Sequence, residues 1–420
     1  MHMSETELKS TRVRMLTFAI ILYIFYGIKL SWSLFGSQLI AENGWTLFQA
    51  TFPYSVQTVV SSFAAIIGGR LADKIETKWV VLMGGLFTGV GLIMCGLSHN
   101  WWIVLIGCGV FIALGSFVSA ALTTCVIGWW PANKKGFAGG LLTCSNSFNT
   151  ILLTPIINML LMAVGMRRTC AITGGAICIV FAIFSMFIKK APKELIELNA
   201  EQVEEMAKDK NQRKLFLSPY NNAPIRDILK SKEFAMWFLL YFFACLSGQV
   251  ATSQITTIAK TLVVWPETLA WLTVSLAGLG SFLGRFFMSY IGDKLGAFRT
   301  YTIDFILQAV LCILFPHFTG LVGMSIGIFG IGWCFGGSIA LANVGNTDLW
   351  GKGNLGTMYG VTAVAYSLAG LVGPTLFARI YDATGSYGIL FYCLAAAAII
   401  GIFFSEYLNR FADPDKQVLN

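Results

Sequence analysis

Gly69-Arg70-Leu71-Ala72-Asp73-Lys74 closes one long apolar run and Ser289-Tyr290-Ile291-Gly292-Asp293-Lys294-Leu295-Gly296 closes another, so that Asp73 finds its counterpart in Asp293, 220 residues later. The same offset carries Trp130 to Trp350 and Gly140 to Gly360. Three landmarks at one spacing describe a chain made of two copies of one unit. Crossing the hydrocarbon takes ~20 apolar residues in a helix, because lipid offers an open backbone no hydrogen-bond partner. Working outward from the two closing motifs, twelve segments qualify: about 16–41, 47–71, 80–98, 101–127, 137–162, 170–188, 233–258, 268–292, 300–316, 320–345, 357–380 and 387–408. The ninth is the shortest. The first runs beyond a signal-peptide core and a second span follows directly, so it is expected to be a permanent span.

Composition supports this. Of 420 residues, 56% are hydrophobic and 12% charged, whereas soluble domains carry roughly 25% charged residues. Forty-three glycines and 33 phenylalanines suit close helix packing and lipid contact. Most of the ten cysteines sit inside apolar runs, as Cys108, Cys125, Cys144, Cys178 and Cys312 do, and read as small packing residues. With three histidines and no Cys-x-x-Cys pair, no metal and no cofactor are expected. No span displays a nucleophile with a base, which argues against an enzyme and leaves no catalytic residue to name.

The formal charge of +8 invites a nucleic-acid reading, but topology explains it better. With the N-terminus in the cytoplasm, one side of the membrane receives 23 of the 29 Lys and Arg residues, ten of them between 189 and 232. The other side receives four, Arg167, Arg168, Lys260 and Arg379, and Lys29 and Arg285 remain inside spans. This positive-inside bias places both termini in the cytoplasm of a multi-pass plasma or cell inner membrane. The expected domains are a six-helix bundle over 1–189, a cytoplasmic linker over 190–231 and a second six-helix bundle over 232–420. Lys193 to Met206 in the linker reads as an amphipathic surface helix tethering the halves. A six-plus-six duplication puts a substrate site near mid-depth between the halves.

Gly69, Leu71, Asp73, Lys74 and Lys78 resemble the Gly-x-Leu-x-Asp-Arg/Lys-x-Gly-x-Arg/Lys signature of the major facilitator superfamily, with Glu76 where its second glycine would stand. The resemblance covers essentially the whole chain and implies an all-α membrane fold of twelve transmembrane helices in two pseudo-symmetric bundles. Finer features resemble the branch that holds oxalate/formate antiporters and monocarboxylate transporters. Gly27-Ile28-Lys29-Leu30-Ser31-Trp32-Ser33-Leu34-Phe35 is similar to the Gly-x-Gln-x-Ser-Trp-x-Leu-Tyr stretch of the oxalate group. Trp129-Trp130-Pro131 through Gly136-Phe137-Ala138-Gly139-Gly140 looks like its Trp-Phe-Pro loop. Gly284-Arg285-Phe286-Phe287 matches the span-eight arginine with which both groups hold a carboxylate. Two departures matter. Lys29 stands in place of a glutamine, and the stretch from Tyr359-Gly360 to Tyr366 lacks the span-eleven lysine of the oxalate group.

A Lys or Arg at the bilayer centre costs at least ~2.5–3.5 kcal/mol, so it persists where it serves something. Arg285 lies eight residues from Asp293, or ~12 Å into its span, and Lys29 fifteen residues from Arg14, or ~22 Å. At these depths both could face one cavity. Asp304, five residues past Arg299, is read as close to the cytoplasmic face and leaves neither cation a deep acidic mate. Two such cations imply an anionic cargo, with the arginine as the bidentate anchor. The substrate-binding candidates are Arg285, Lys29, Tyr366, Trp32, Asn146 and Trp333, and the cytoplasmic gating candidates Asp73, Lys74, Asp293 and Lys294. Other polar positions along the spans, among them Tyr26, Gln57, Thr123, Ser145, Asn149, Tyr241 and Gln254, suit interhelical hydrogen bonding as well as they suit substrate contact.

The expected function is therefore secondary active transport of small organic carboxylates by alternating access, with the lipid bilayer as surroundings and a monomer as the working unit. Proton-coupled monocarboxylate transporters of animals carry an aspartate four residues before the span-eight arginine; here Ser281 cannot titrate, which favours anion exchange over proton symport. A non-transporting carboxylate sensor on the same scaffold is the reading from another class.

Overall fold

A computed structural model describes residues 5–131, 135–192, 194–195, 220, 223–350 and 355–412. The amphipathic linker helix expected over 193–206 lies outside them save for Glu194 and Leu195, and the side chain of Asp73 is also outside the description. Every described element is helical. Eleven helices are long and apolar enough to cross a membrane. One of these is two spans in series. Lys135–Phe184 turns at Gly165, whose φ of 76° and ψ of 172° no helix contains, so the expected twelve spans are all represented. A positive φ is easy for glycine and costs other residues roughly 1–2 kcal/mol.

The described helices are α1 Glu5–Tyr26, α2 Trp32–Asn43, α3 Leu47–Lys74, α4 Thr77–Leu97, α5 Trp101–Ile106, α6 Ser116–Trp129, α7 Lys135–Phe184, α8 Ile225–Lys230, α9 Lys232–Val263, α10 Ala270–Leu295, α11 Ala297–Leu314, α12 Gly320–Trp350, α13 Leu355–Thr384 and α14 Gly388–Ala412. They sort into two compact units, one of residues 1–31 and 56–209 and one of 32–55 and 210–420. Residues 32–55, which the sequence reading put with the first bundle, thus pack within the second unit. Ser33 hydrogen-bonds Thr256 at 3.1 Å, Tyr54 donates to Gln249 Oε1 at 3.0 Å, and Asp382 accepts from the Leu47 and Phe48 amides at 3.0 Å each. That carboxylate satisfies free amides at the positive end of α3.

Within the first unit, Arg12 near the start of α1 donates to the Trp129 carbonyl at the end of α6 at 2.7 Å, and the Trp129 indole donates to the Lys189 carbonyl beyond α7 at 2.8 Å. Lys190 reaches the Ala72 carbonyl at the end of α3 at 3.3 Å. The first span starts, and the second, fourth and sixth end, on that one face. The second unit repeats the pattern. Tyr220 sets its ring against Trp350 at the end of α12 and Phe411 near the end of α14, 5.4 and 6.2 Å between centroids, and Phe234 at the start of α9 also meets Trp350. The Tyr220 hydroxyl donates to Glu233 at 2.8 Å, and partial burial together with this carboxylate raises the phenol above its ordinary pKa.

Candidate functional site

In the first unit the site begins where α1 stops. The chain leaves the α-helix at Tyr26 and runs through a tight 3-10 turn, Gly27–Ser31, before α2 begins. Gly27 permits this by lying against α7: a methyl group there would fall 2.7 Å from Asn146 Oδ1 and 2.8 Å from the Asn146 carbonyl. Interrupting a helix frees backbone groups that lipid cannot satisfy, and side chains must replace the missing partners. Asn149, fully buried, donates to the Ile24 carbonyl at 2.9 Å and accepts from Ser31 Oγ at 3.0 Å, while Ser31 also bonds Thr154 at 2.9 Å.

Lys29 projects from this turn, half-buried. Its ammonium donates to the Tyr26 hydroxyl and sits 4.2 Å from the centre of the Tyr26 ring. The buried Tyr26 hydroxyl continues to Ser116 Oγ at 3.0 Å. Among the described residues Lys29 pairs with no carboxylate; the ion pairs present are Lys78–Glu76 and Lys260–Glu267. An ammonium over an aromatic face gains part of what lost hydration costs, yet its full charge remains for a ligand to meet. Asn146, another candidate, stands beside the turn with its Oδ1 buried and without a hydrogen-bond partner. Structure thus brings Lys29 and Asn146 to the same turn.

In the second unit Arg285 lies in the middle of α10, half-buried, directly after Gly284. Its helix is pressed onto α12 backbone to backbone. A methyl group at Gly280 would collide with the Phe329 carbonyl, one at Gly284 with the Trp333 carbonyl, one at Gly332 with the Ala277 carbonyl and one at Gly336 with the Ser281 carbonyl. Small residues four apart on both helices form the seam that brings transmembrane backbones together. The guanidinium therefore hangs from a rigid support. Trp333 is on the same seam, its ring stacked on Phe287 at 5.5 Å and tilted against Phe329 at 6.2 Å. Tyr366 on α13 stacks on Phe335 at 6.3 Å, and its carbonyl accepts from Gln249 Nε2 at 3.4 Å.

Trp32 lies between α2 and α3. Only 2% of it is exposed, and its indole N–H donates to the Ala50 carbonyl at 3.0 Å, so it packs α2 against α3. Several other polar positions are also engaged in helix packing: Gln254 Nε2 donates to the Pro374 carbonyl at 3.1 Å, Tyr23 meets Thr123 at 3.3 Å, and Cys108 donates to Gln57 Oε1 at 3.6 Å. The gating candidates Lys74 and Asp293 are exposed at the ends of α3 and α10, and Lys294 rests 4.4 Å from the Tyr290 ring centre.

Asp304, the acid read as inside the ninth span towards the cytoplasmic face, is 1% exposed and seven residues into α11. Its helix begins at Ala297 and it faces Ser338 of α12, which accounts for its burial. Asp382 and Gln249 were missed altogether. Their roles depend on partners 335 and 195 residues away in sequence, Leu47 and Tyr54, and no local pattern announces such pairs.

Comparison with known proteins agrees with this architecture. The family model for the Major Facilitator Superfamily matches residues 17–374 and again 237–417. An uncharacterized MFS-type transporter, YhjX, of Escherichia coli (strain K12) is 22% identical over 88% of this chain and 88% of its own length. The oxalate:formate antiporter of Oxalobacter formigenes is 22% identical over 84% of this chain and 81% of its own. Monocarboxylate transporter 12 of Homo sapiens is 22% identical over 87% and 73%. Family and relatives alike are transporters, not enzymes.

Proposed function

The chain belongs to the major facilitator superfamily, and from that premise we propose that it carries small organic carboxylates across the membrane by alternating access, with Arg285 as the primary anchor. The observation that carries this reading is a cation inside a span with no carboxylate beside it among the described residues: Lys29, presented by a helix break and resting on a phenol. Such a charge is costly in the bilayer unless an anion completes it. Arg285 adds a planar, bidentate donor on a rigid seam, the geometry that suits a carboxylate. The names of the relatives, an oxalate:formate antiporter and a monocarboxylate transporter, support the same cargo class.

Anion exchange is the favoured mode, because Ser281 offers no titratable group one turn before Arg285. Proton-coupled symport is the second reading, supported by the buried carboxyl of Asp304. Asn146 and Tyr366 are the best remaining candidates for contact with the cargo, and Asp73, Lys74, Asp293 and Lys294 for gating. We place the termini and the 190–231 linker in the cytoplasm.

Counterflow in proteoliposomes tests the reading, with oxalate, formate and lactate loaded in turn. Wild type is expected to exchange at least one of them, and Arg285→Gln to lose exchange while still inserting as a monodisperse protein. Undiminished exchange in Arg285→Gln would refute the anchor. Binding in detergent without flux in any loading would favour a sensor instead. For Lys29→Gln, oxalate exchange should fall more than formate exchange; equal losses would mean that the ammonium reads no second carboxylate.

A further inference from the structure

Among the described residues, Asp304 is a fully buried acid inside a span to which anion exchange gives no task. Seven residues, or ~10 Å, separate it from the start of α11 at Ala297. Its Oδ2 accepts from Ser338 Oγ of α12 at 2.7 Å, whereas Oδ1 is buried with no hydrogen-bond partner. Gly337 lets the helices close over it: a methyl group there would fall 3.5 Å from Oδ1. No cationic side chain pairs with it among the described residues.

The titratable groups facing it are neutral ones. The Cys334 thiol of α12 lies against the carboxyl, with the Cys245 thiol of α9 and the Tyr301 phenol of its own helix nearby. Tyr301 is committed to the Ser338 carbonyl at 2.7 Å, and the Tyr241 phenol of α9 lies near Cys245. One turn on, Gln308 donates to Ser247 and to the Ala244 carbonyl of α9. On α14, Glu406 is taken by Thr302 at 3.0 Å, and α10 carries Arg285, Asp293 and Lys294, none of which pairs with Asp304. His317, thirteen residues along, bonds Tyr392.

A carboxylate charge sealed in protein without a cation costs several kcal/mol, and taking up a proton removes the charge. An orphaned oxygen in the same group marks where that proton can bind. We propose that Asp304 is the proton-binding site of this carrier, neutral while closed between α11 and α12 and ionised when rearrangement of this unit admits water; as a coupling device it rests on the second of the two modes above, proton symport, and not on anion exchange. In the cycle an O–H bond forms on Oδ1 with a proton from water on one side of the membrane and breaks to water on the other. A monocarboxylate anion moving with one such proton carries no net charge.

Proteoliposomes containing the full chain, with oxalate, formate or lactate outside and an acid-outside gradient, give the test. If one proton moves with each monovalent anion, a gradient of one pH unit supports about tenfold accumulation of formate or lactate. Asp304→Asn, a fixed mimic of the neutral acid, is expected to lose accumulation while its counterflow persists, and Ser338→Ala to shift the pH profile of net uptake. Accumulation that survives in Asp304→Asn overturns the proposal, as does a wild type that exchanges yet never accumulates. If no carboxylate exchanges in wild type, the cargo reading fails, and infrared titration of the purified protein decides Asp304 by itself. A carbonyl stretch of a protonated carboxyl, present in wild type and missing in Asp304→Asn, supports the site; its absence at every pH sinks it. Asp304→Glu, expected to restore a shifted band, guards against a misfolded variant.

Discussion

The Lys29 ammonium rests on a phenol, and two asparagines three residues apart on α7 frame the turn that presents it, one satisfied and one not. Asn149 fills the gap left by the broken helix through Ile24 and Ser31, so truncating it takes a donor from the Ile24 carbonyl and leaves the Ser31 hydroxyl with Thr154. Transmembrane side-chain hydrogen bonds average well under 1 kcal/mol each, and unsatisfied groups add to that, so Asn149→Ala should cost about 1–2 kcal/mol. Thermal unfolding in detergent will show it as a lower Tm. Asn146 has no bond to lose at Oδ1. Asn146→Ala should therefore leave Tm unchanged while weakening carboxylate counterflow; a Tm drop equal to that of Asn149→Ala would make Asn146 a packing residue. Sequence pattern placed both asparagines in the span expected over 137–162, but it had no means of telling them apart. The distinction depends on where α1 unwinds, and that follows from how closely Gly27 approaches α7.

Between helices, the glycines separate into those that a neighbour requires and those that none does. Gly284 and Gly332 are packed against opposing carbonyls, which are backbone atoms and cannot swing aside as a flexible side chain would. Gly284→Ala should cost at least the ~1–3 kcal/mol of an overpacked core, and it should move Arg285 as well, since the guanidinium hangs from the next residue. Counterflow should then be lost at temperatures where the protein remains folded. By contrast, a methyl group at either of the repeat-related glycines, Gly140 or Gly360, meets nothing within 4 Å. Replacing Gly360 by Ala within α13 should raise helix stability by up to ~1 kcal/mol through backbone entropy alone. If Gly360→Ala instead abolishes transport at unchanged or higher Tm, that glycine is needed in another conformation of the carrier. Spans were readable because lipid forces long apolar helices wherever the chain crosses. The seam was not, because Gly280 and Gly332 look like any of the other glycines until α10 is laid on α12.

Across the molecule, the ends of the spans carry the argument about orientation. Arg12, Trp129, Lys189 and Ala72 meet on one face of the first unit, and the Tyr220, Phe234, Trp350 and Phe411 group does so in the second. Chain alternation assigns each of these ends to the side from which the first span starts. The charge count assigns that same side 23 of the 29 basic residues, and a Lys/Arg excess of this size near span ends holds a loop in the cytoplasm. Both lines take the alternation of twelve spans as given, and Arg12 and Lys190 belong to both; the aromatic group of the second unit is the part that owes nothing to charge. A protease site inserted within 196–219 should accordingly be cut in inverted vesicles and protected in right-side-out ones, and a site in the 320-side turn between α11 and α12 should behave oppositely. Protection of both sites in the same vesicles would mean that the spans between them are not odd in number, and the twelve-span topology would have to be abandoned. Cleavage with the two sides exchanged would keep the topology and reverse the orientation. The cations Lys29 and Arg285 would then keep their depth, but Lys74, Asp293 and Lys294 would move to the outer face and could no longer serve as a cytoplasmic gate.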